Sequence, residues 1–199
     1  DNKIASLSPL RGLQQLKYLH LDSNRIADLS PLSGLTQLTV LCVNSNHISD
    51  LPQLHCPSMQ RLELSRNKLS SVAADCLSGL PVLNHLNLSS NQISTVCGET
   101  LSACGMLQTL LLSQWEHNPD VSMPWPMCTP SLQKLVLSDN QIATLPGKIF
   151  QTLPLLQELD LSFNALTERD CLLGLASCRL LTALHIQDNI FTTTPVNTP

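Results

Sequence analysis

The sequence predicts an α/β solenoid: a stack of similar coils whose strands line up into one parallel concave sheet, with turns, 3₁₀ segments and short helices on the convex return. Three observations predict it. A phrase of leucine, two residues, leucine, one residue, leucine, two residues and usually asparagine recurs eight times in 199 residues, starting at Leu16, Leu38, Met59, Leu83, Leu107, Leu132, Leu156 and Leu181. Those starts lie 22, 21, 24, 24, 25, 24 and 25 residues apart, a spacing that runs the whole length of the chain. Within each phrase the fourth and sixth positions are two apart, so an extended strand carries both side chains on one face and the residue between them on the other.

The strand segments come first in each coil. Leu19 with Leu21, Leu41 with Val43, Leu62 with Leu64, Leu86 with Leu88, Leu135 with Leu137, and Leu159 with Leu161 are the expected buried pairs. One strand cannot cover its own leucines, but stacking coil on coil makes a continuous apolar interior. The turn follows. Asn24, Asn46, Asn67, Asn91, Asn140, Asn164 and Asn189 are expected to point inward and pair with turn backbone that would otherwise be unsatisfied in the core. The return half is shorter and more variable; Gly12, Gly34 and Gly79 precede a leucine at equivalent places, and Pro9, Pro31, Pro52 and Pro81 mark turns.

With these motifs in place the chain resembles the leucine-rich repeat family along its whole length. The shorter units around Ile4–Leu13 and Ile26–Leu35 are similar to those of the nuclear regulatory subunit of protein phosphatase 1 and of bacterial internalins. The later units, such as the one from Leu145, look more like the longer class of receptors and secreted proteins. The resemblance implies a horseshoe scaffold and leaves its partner open, because such scaffolds serve many functions.

Residues 1–199 read as a single domain of about eight units. At 43% hydrophobic the chain has enough apolar material for a long core, and with 11 basic against 15 acidic residues, a net charge of −4, it advertises no nucleic-acid partner. No apolar run reaches the 18 or so residues of a spanning helix, so no membrane insertion is expected. Asp1, Asn2, Lys3 and Ile4 align with the tail of a repeat whose strand is absent, which reads as a fragment lacking at least its N-terminal cap. Flanking sequence or a neighbouring subunit is therefore expected to cover an end. The eight cysteines do not fall in the paired pattern of secreted caps: Cys42 lies in a strand, and Cys56, Cys76, Cys97, Cys104, Cys128, Cys171 and Cys178 are scattered over the return half. They read as small core residues of an intracellular, cytoplasmic protein.

Between the buried leucines, one solvated residue per coil should align in rows. The central row is His20, Cys42, Glu63, Asn87, Leu111, Val136, Asp160, His185; beside it run Tyr18, Val40, Arg61, His85, Thr109, Lys134, Glu158, Ala183. At the turn come Ser23, Ser45, Arg66, Ser90, Gln114, Asp139, Phe163, Asp188. The candidate binding residues are Tyr18, His20, Arg61, Glu63, Arg66, Leu111, Trp115, Lys134, Val136, Asp139, Glu158, Asp160, Phe163 and His185. They form a basic patch in the third unit (Arg61, Arg66, Lys68), an apolar strip (Leu111, Val136) and an acidic end (Asp139, Glu158, Asp160, Asp188) beside Phe163. An apolar strip between opposite charges suits a protein partner, with burial supplying affinity and charge setting orientation; a mixed solvated face is the plainer alternative.

The fifth unit departs from the pattern: Trp115 stands where asparagine is expected, Asn118 is a candidate to resume the ladder, and Trp125 sits in a proline-rich run. Each tryptophan reads either as a contact or as a core plug. His20, Cys42 and Glu63 occupy adjacent strand positions but repeat the unit length with no paired CxxC or HxxxH, so no metal or other cofactor is assigned. Asp160 beside His185 lacks a nucleophile in its row and reads as a solvated ion pair, and there is no glycine-rich phosphate loop. The expected function is a non-enzymatic scaffold that grips another protein on its concave face. The resemblance to intracellular repeat proteins implies a place in a larger assembly, as a regulatory subunit of a phosphatase or as a scaffold of cytoskeletal or ciliary structures. An extracellular recognition module, suggested by the longer units and the lone sequon at Asn87, is the alternative.

Overall fold

The computed structural model describes residues 2–73, 75–93, 95–96, 100–115, 129–145, 148–167 and 169–191. Eight of its strands are three residues long: β1 (Tyr18–His20), β2 (Val40–Cys42), β3 (Arg61–Glu63), β5 (His85–Asn87), β7 (Thr109–Leu111), β8 (Lys134–Val136), β9 (Glu158–Asp160) and β10 (Ala183–His185). They form one open parallel sheet in the order β1-β2-β3-β5-β7-β8-β9-β10. On the return side, β4 (Ser71–Val72) and β6 (Thr95–Val96) make a second, two-stranded parallel pairing. Every neighbouring pair in the main sheet is in register, so Leu19, Leu41, Leu62, Leu86, Leu110, Leu135, Leu159 and Leu184 stack as one column.

That column and its partner two residues on are the core. Leu41, Leu62, Leu64, Leu86, Leu110, Leu135, Leu159 and Leu161 are fully buried, each stabilising the stack by about 1.5–3 kcal/mol. The ends are thinner. Leu19 is only partly buried, against the buried pairing expected of it, and Leu184 is 39% exposed. A side chain in the first or last coil has a neighbouring coil on one side only. Residues 2–4 still add half a coil below β1: Asn2 N donates to Ser23 O at 3.1 Å, and Arg25 N to Ile4 O at 2.8 Å.

The return half is built of 3₁₀ turns, at Ser8–Leu10, Ser30–Leu32, Thr100–Ala103, Ile149–Thr152 and Arg169–Ser177, with Pro9 and Pro31 in the first turn of two of them. Proline suits that position because the amide it lacks has no partner there. Gly34 takes a φ of +88° after its turn, and a Cβ on Gly79 would collide with the Leu54 carbonyl of the coil below. Three residues before the start of each phrase from the second on stands a buried return position, filled in successive coils by Leu35, Cys56, Leu80, Cys104, Thr129, Leu153 and Cys178. Cysteine there is a small core residue alternating with leucine. Cys42, Cys56, Cys76, Cys104 and Cys178 are all buried free thiols; Cys97, Cys128 and the side chain of Cys171 lie outside the described residues. No helix among the described residues is long and apolar enough to cross a membrane.

The asparagine ladder forms as expected. In coil two, Asn46 Nδ2 donates to Val43 O of its own coil and Leu21 O of the previous one, both at 3.0 Å, while its Oδ1 accepts from Ile26 N at 2.9 Å. Asn67, Asn91, Asn164 and Asn189 repeat this three-way pattern. One side chain thus satisfies a buried N–H and two buried carbonyls per coil, groups that would each cost about 1–3 kcal/mol unpaired.

Candidate binding surface

Strand register sets the three expected rows side by side: Tyr18 through Ala183, His20 through His185, and the turn row from Ser23 to Asp188. The turn row carries a backbone signature. Ser23, Ser45, Arg66, Ser90, Gln114, Asp139, Phe163 and Asp188 all have φ between +54° and +58°. Each is the residue just before the ladder position, and the left-handed conformation turns the chain inward so that the asparagine can reach the core. Serine, asparagine and aspartate tolerate that region; a bulky aromatic is strained in it. Phe163 is held there at +54° and is 56% exposed.

The acidic end borders a hollow. Ser113, Gln114, Ser138, Asp139, Asp160, Ser162, Phe163 and Gln187 line a shallow hollow of about 520 Å³. Lys134 Nζ lies 2.7 Å from Glu158 Oε1, both partly exposed, an attraction that solvent screens. Leu111 and Val136 are half-buried, Tyr18 is 64% exposed at the far end, and His20, Arg66, Asp139 and His185 are exposed.

Three expectations are corrected. Glu63 is not a surface charge: it is 5% exposed and gathers Arg61, His85 and Asn87 around itself. Asn87 Nδ2 donates to its Oε2 at 2.7 Å, Arg61 pairs with its Oε1, and His85 Nε2 lies 2.8 Å from the same oxygen. Burial pushes the Glu63 carboxyl up, but the bonds from His85 and Asn87, with the charges of His85 and Arg61, outweigh it and hold the group below its usual 4.5. Trp115 is not a contact residue either. It is 6% exposed in the ladder column, its indole Nε1 donating to Leu88 O at 3.1 Å and its backbone N to Asn140 Oδ1 at 3.0 Å. Asp160 and His185 are register neighbours without an ion pair: Asp160 Oδ1 instead accepts from Ser162 N at 2.9 Å and Ser162 Oγ at 2.6 Å. Asn118 and Trp125 lie outside the described residues.

A fourth row escapes the leucine pattern. Asp22, Asn44, Ser65, Ser89, Ser113, Ser138, Ser162 and Gln187 follow the strand two residues beyond the central row, on the same face. They link across coils, Asn44 N to Asp22 Oδ1 at 2.7 Å, Ser65 N to Asn44 Oδ1 at 2.8 Å and Ser113 N to Ser89 Oγ at 3.1 Å. The recurrence of serine after the third leucine in five of the eight units is the sequence signal for it. Asp22 also enters a cluster: a donor atom of His20, one of Asp22 and Cys42 Sγ lie within 4.8 Å of one another. Burial first, then the charges of Asp22 and Glu63, push the Cys42 thiol up, with Arg61 opposing.

The Leucine rich repeat family pattern matches residues 57–114 and 130–191, and the two-copy Leucine Rich repeats pattern matches 1–34 and 36–74. No curated protein matches the sequence. Among solved structures, the chain is similar to an internalin (InlF) of Listeria monocytogenes, at 28% identity and a TM-score of 0.79 over 94% of this chain and 52% of that one. It is similar to TLR13, solved in complex with ssRNA13, at 29% identity and 0.70 over 87% and 24%. A 24% identical match to the complex of Latrophilin 3, Unc5D and FLRT2, at 0.78 over 94% and 58%, shows the fold. The chain spans about half the length of the internalin structure and about a quarter of TLR13. The eight in-register strands, the ladder and the matched patterns agree: this chain belongs to the leucine-rich repeat family.

Proposed function

We propose that the chain is a non-enzymatic protein-interaction module that holds a protein partner along its concave face, with the hollow around Asp139, Asp160 and Phe163 as the principal contact. The observation that carries this is Phe163, an aromatic side chain left half in water on a backbone conformation that disfavours it. Nothing in the coil needs phenylalanine there, since serine or aspartate serves the same turn elsewhere in the stack. The flanking carboxylates select a partner segment with a basic residue beside an apolar one. They also disfavour a nucleic-acid ligand such as the one in the TLR13 complex. Rigid coils lose little conformational freedom on binding, so the burial is not offset by ordering.

The parent assembly in this reading is intracellular, cytoskeletal or ciliary, and flanking sequence or a neighbouring subunit covers Leu184 and Ile190 of the last coil. Five buried free thiols support a reducing compartment. The sequon asparagine, Asn87, spends its Nδ2 on Glu63, which weighs against the extracellular alternative. Cross-linking mass spectrometry identifies the partner. The double change Glu158→Lys with Asp160→Lys, and separately Phe163→Ala, should each cut its capture at least tenfold while the fold is retained by circular dichroism. Undiminished capture by both removes this patch from the proposal. A glycan mass on Asn87 reverses the compartment.

A further inference from the structure

We propose that His20, Asp22 and Cys42 form a divalent-cation site on the concave face of the first two coils, with Zn²⁺ as the ion its donors favour. The inference does not depend on the partner-binding reading, which concerns the opposite end of the sheet.

The geometry follows from the sheet. His20 and Asp22 are two residues apart where the chain leaves β1, so both point to the concave side, and Cys42 is the register partner of His20 on β2. Adjacent parallel strands bring the imidazole, the carboxylate and the thiol to within 4.8 Å of one another. Tetrahedral Zn²⁺, bound at about 2.0–2.3 Å, needs its donors roughly 3.3–3.8 Å apart. His20 and Asp22 are exposed and close that gap by side-chain rotation, while Cys42, 8% exposed, stays in place.

The donor set itself is selective. One thiolate, one imidazole and one carboxylate suit Zn²⁺ better than the all-oxygen shells of Ca²⁺ or Mg²⁺. Asp22 comes with an outer support: its Oδ1 accepts the Asn44 backbone N–H at 2.7 Å, which orients the carboxylate and leaves Oδ2 for the ion. Glu63, the third member that strand position alone would nominate, is committed to Arg61, His85 and Asn87. Three protein donors leave the fourth position to water on the open face. On binding, the Cys42 S–H bond breaks, its electron pair goes to the metal and its proton to water; no oxidation state changes.

The test is titration of the reduced, metal-free protein with Co²⁺, followed by displacement with Zn²⁺. One equivalent should produce a thiolate-to-cobalt charge-transfer band with tetrahedral d–d absorption, and Zn²⁺ should bleach it. Cys42→Ser should abolish the charge-transfer band. His20→Ala and Asp22→Asn, both at exposed positions that the core does not need, should keep the fold by circular dichroism and weaken cobalt binding at least tenfold. Absence of the band in the unmutated protein overturns the proposal, as does its survival in Cys42→Ser, which would assign it to another of the eight cysteines. Unchanged affinity in both His20→Ala and Asp22→Asn overturns it as well.

Discussion

Coils four and five fill the same post with different residues. In coil four, Asn91 donates to Leu64 O of the coil below at 3.0 Å and to its own Leu88 O at 2.9 Å, and accepts from Leu69 N at 3.1 Å. In coil five, Trp115 keeps the backward bond, Nε1 to Leu88 O at 3.1 Å, with an indole instead of an amide. What the position requires first is an N–H that reaches one coil back; asparagine meets that need and supplies an acceptor too. Indole has no acceptor, and the next rung adjusts, Asn140 Oδ1 taking the backbone N–H of Trp115 itself. The ladder is thus interrupted at coil five. The two ends also differ in charge: seven of the 11 basic residues fall in the first 68 positions, and ten of the 15 acidic residues beyond them. The irregular rung stands in the acidic part.

The sharpest way to break this comparison is to truncate both rungs. Trp115→Ala should lower the unfolding free energy by about 4 kcal/mol, because it opens a large cavity and takes one of two donors from the Leu88 carbonyl. Asn91→Ala should cost about 3 kcal/mol, since it removes less volume but leaves the buried Leu69 N–H without its acceptor. Both are read by urea denaturation. A loss under about 1 kcal/mol for Trp115→Ala would mean that the indole is not a rung.

A smaller effect separates the buried charge cluster of the basic half from the exposed pair of the acidic half. The folded state holds Glu63 below its ordinary 4.5, so its contribution is present above that value and fades as pH falls through the lowered one. Stability measured from pH 6 down to 3 should therefore drop more steeply in the unmutated protein than in Glu63→Gln. Breaking the exposed Lys134–Glu158 pair with Glu158→Gln should leave that slope unaltered. Parallel acid limbs for all three proteins would contradict the assignment.

The smallest effect is a gain. Phe163→Gly should raise the unfolding free energy by about 0.5–1 kcal/mol, as glycine relieves the left-handed strain by more than its own chain entropy costs. The same change should weaken partner capture. A gain in stability joined to a loss in binding is the mark of a residue kept for contact rather than for folding.

The fold was legible in the sequence because every coil states it again. The spacing places Leu62, Leu86 and Leu159 on one face, and register then aligns His20 with Cys42 and Asp160 with His185. The candidate site was legible only as rows. Which members of a row remain at the surface depends on contacts between coils, and a pattern read within one coil does not encode them. Glu63 reads as part of a charged patch, yet His85 and Asn87, a full coil later, draw it inward. Trp115 reads as a departure because the search is for asparagine rather than for an N–H donor. Asp22 goes unnoticed because its row holds small polar residues that resemble turn filler.

Four buried cysteines of the return half, Cys56, Cys76, Cys104 and Cys178, give this protein a built-in set of clocks. Cys56, Cys76 and Cys178 donate their thiols to Leu32, Leu51 and Phe150 of the coil below, and burial pushes Cys104 up to about 11. Only a thiolate exposed to solvent is alkylated at speed, so each sulfur reacts when its own coil peels open and not before. Labelling kinetics followed peptide by peptide would time how the stack frays from its ends toward its middle, with no probe introduced.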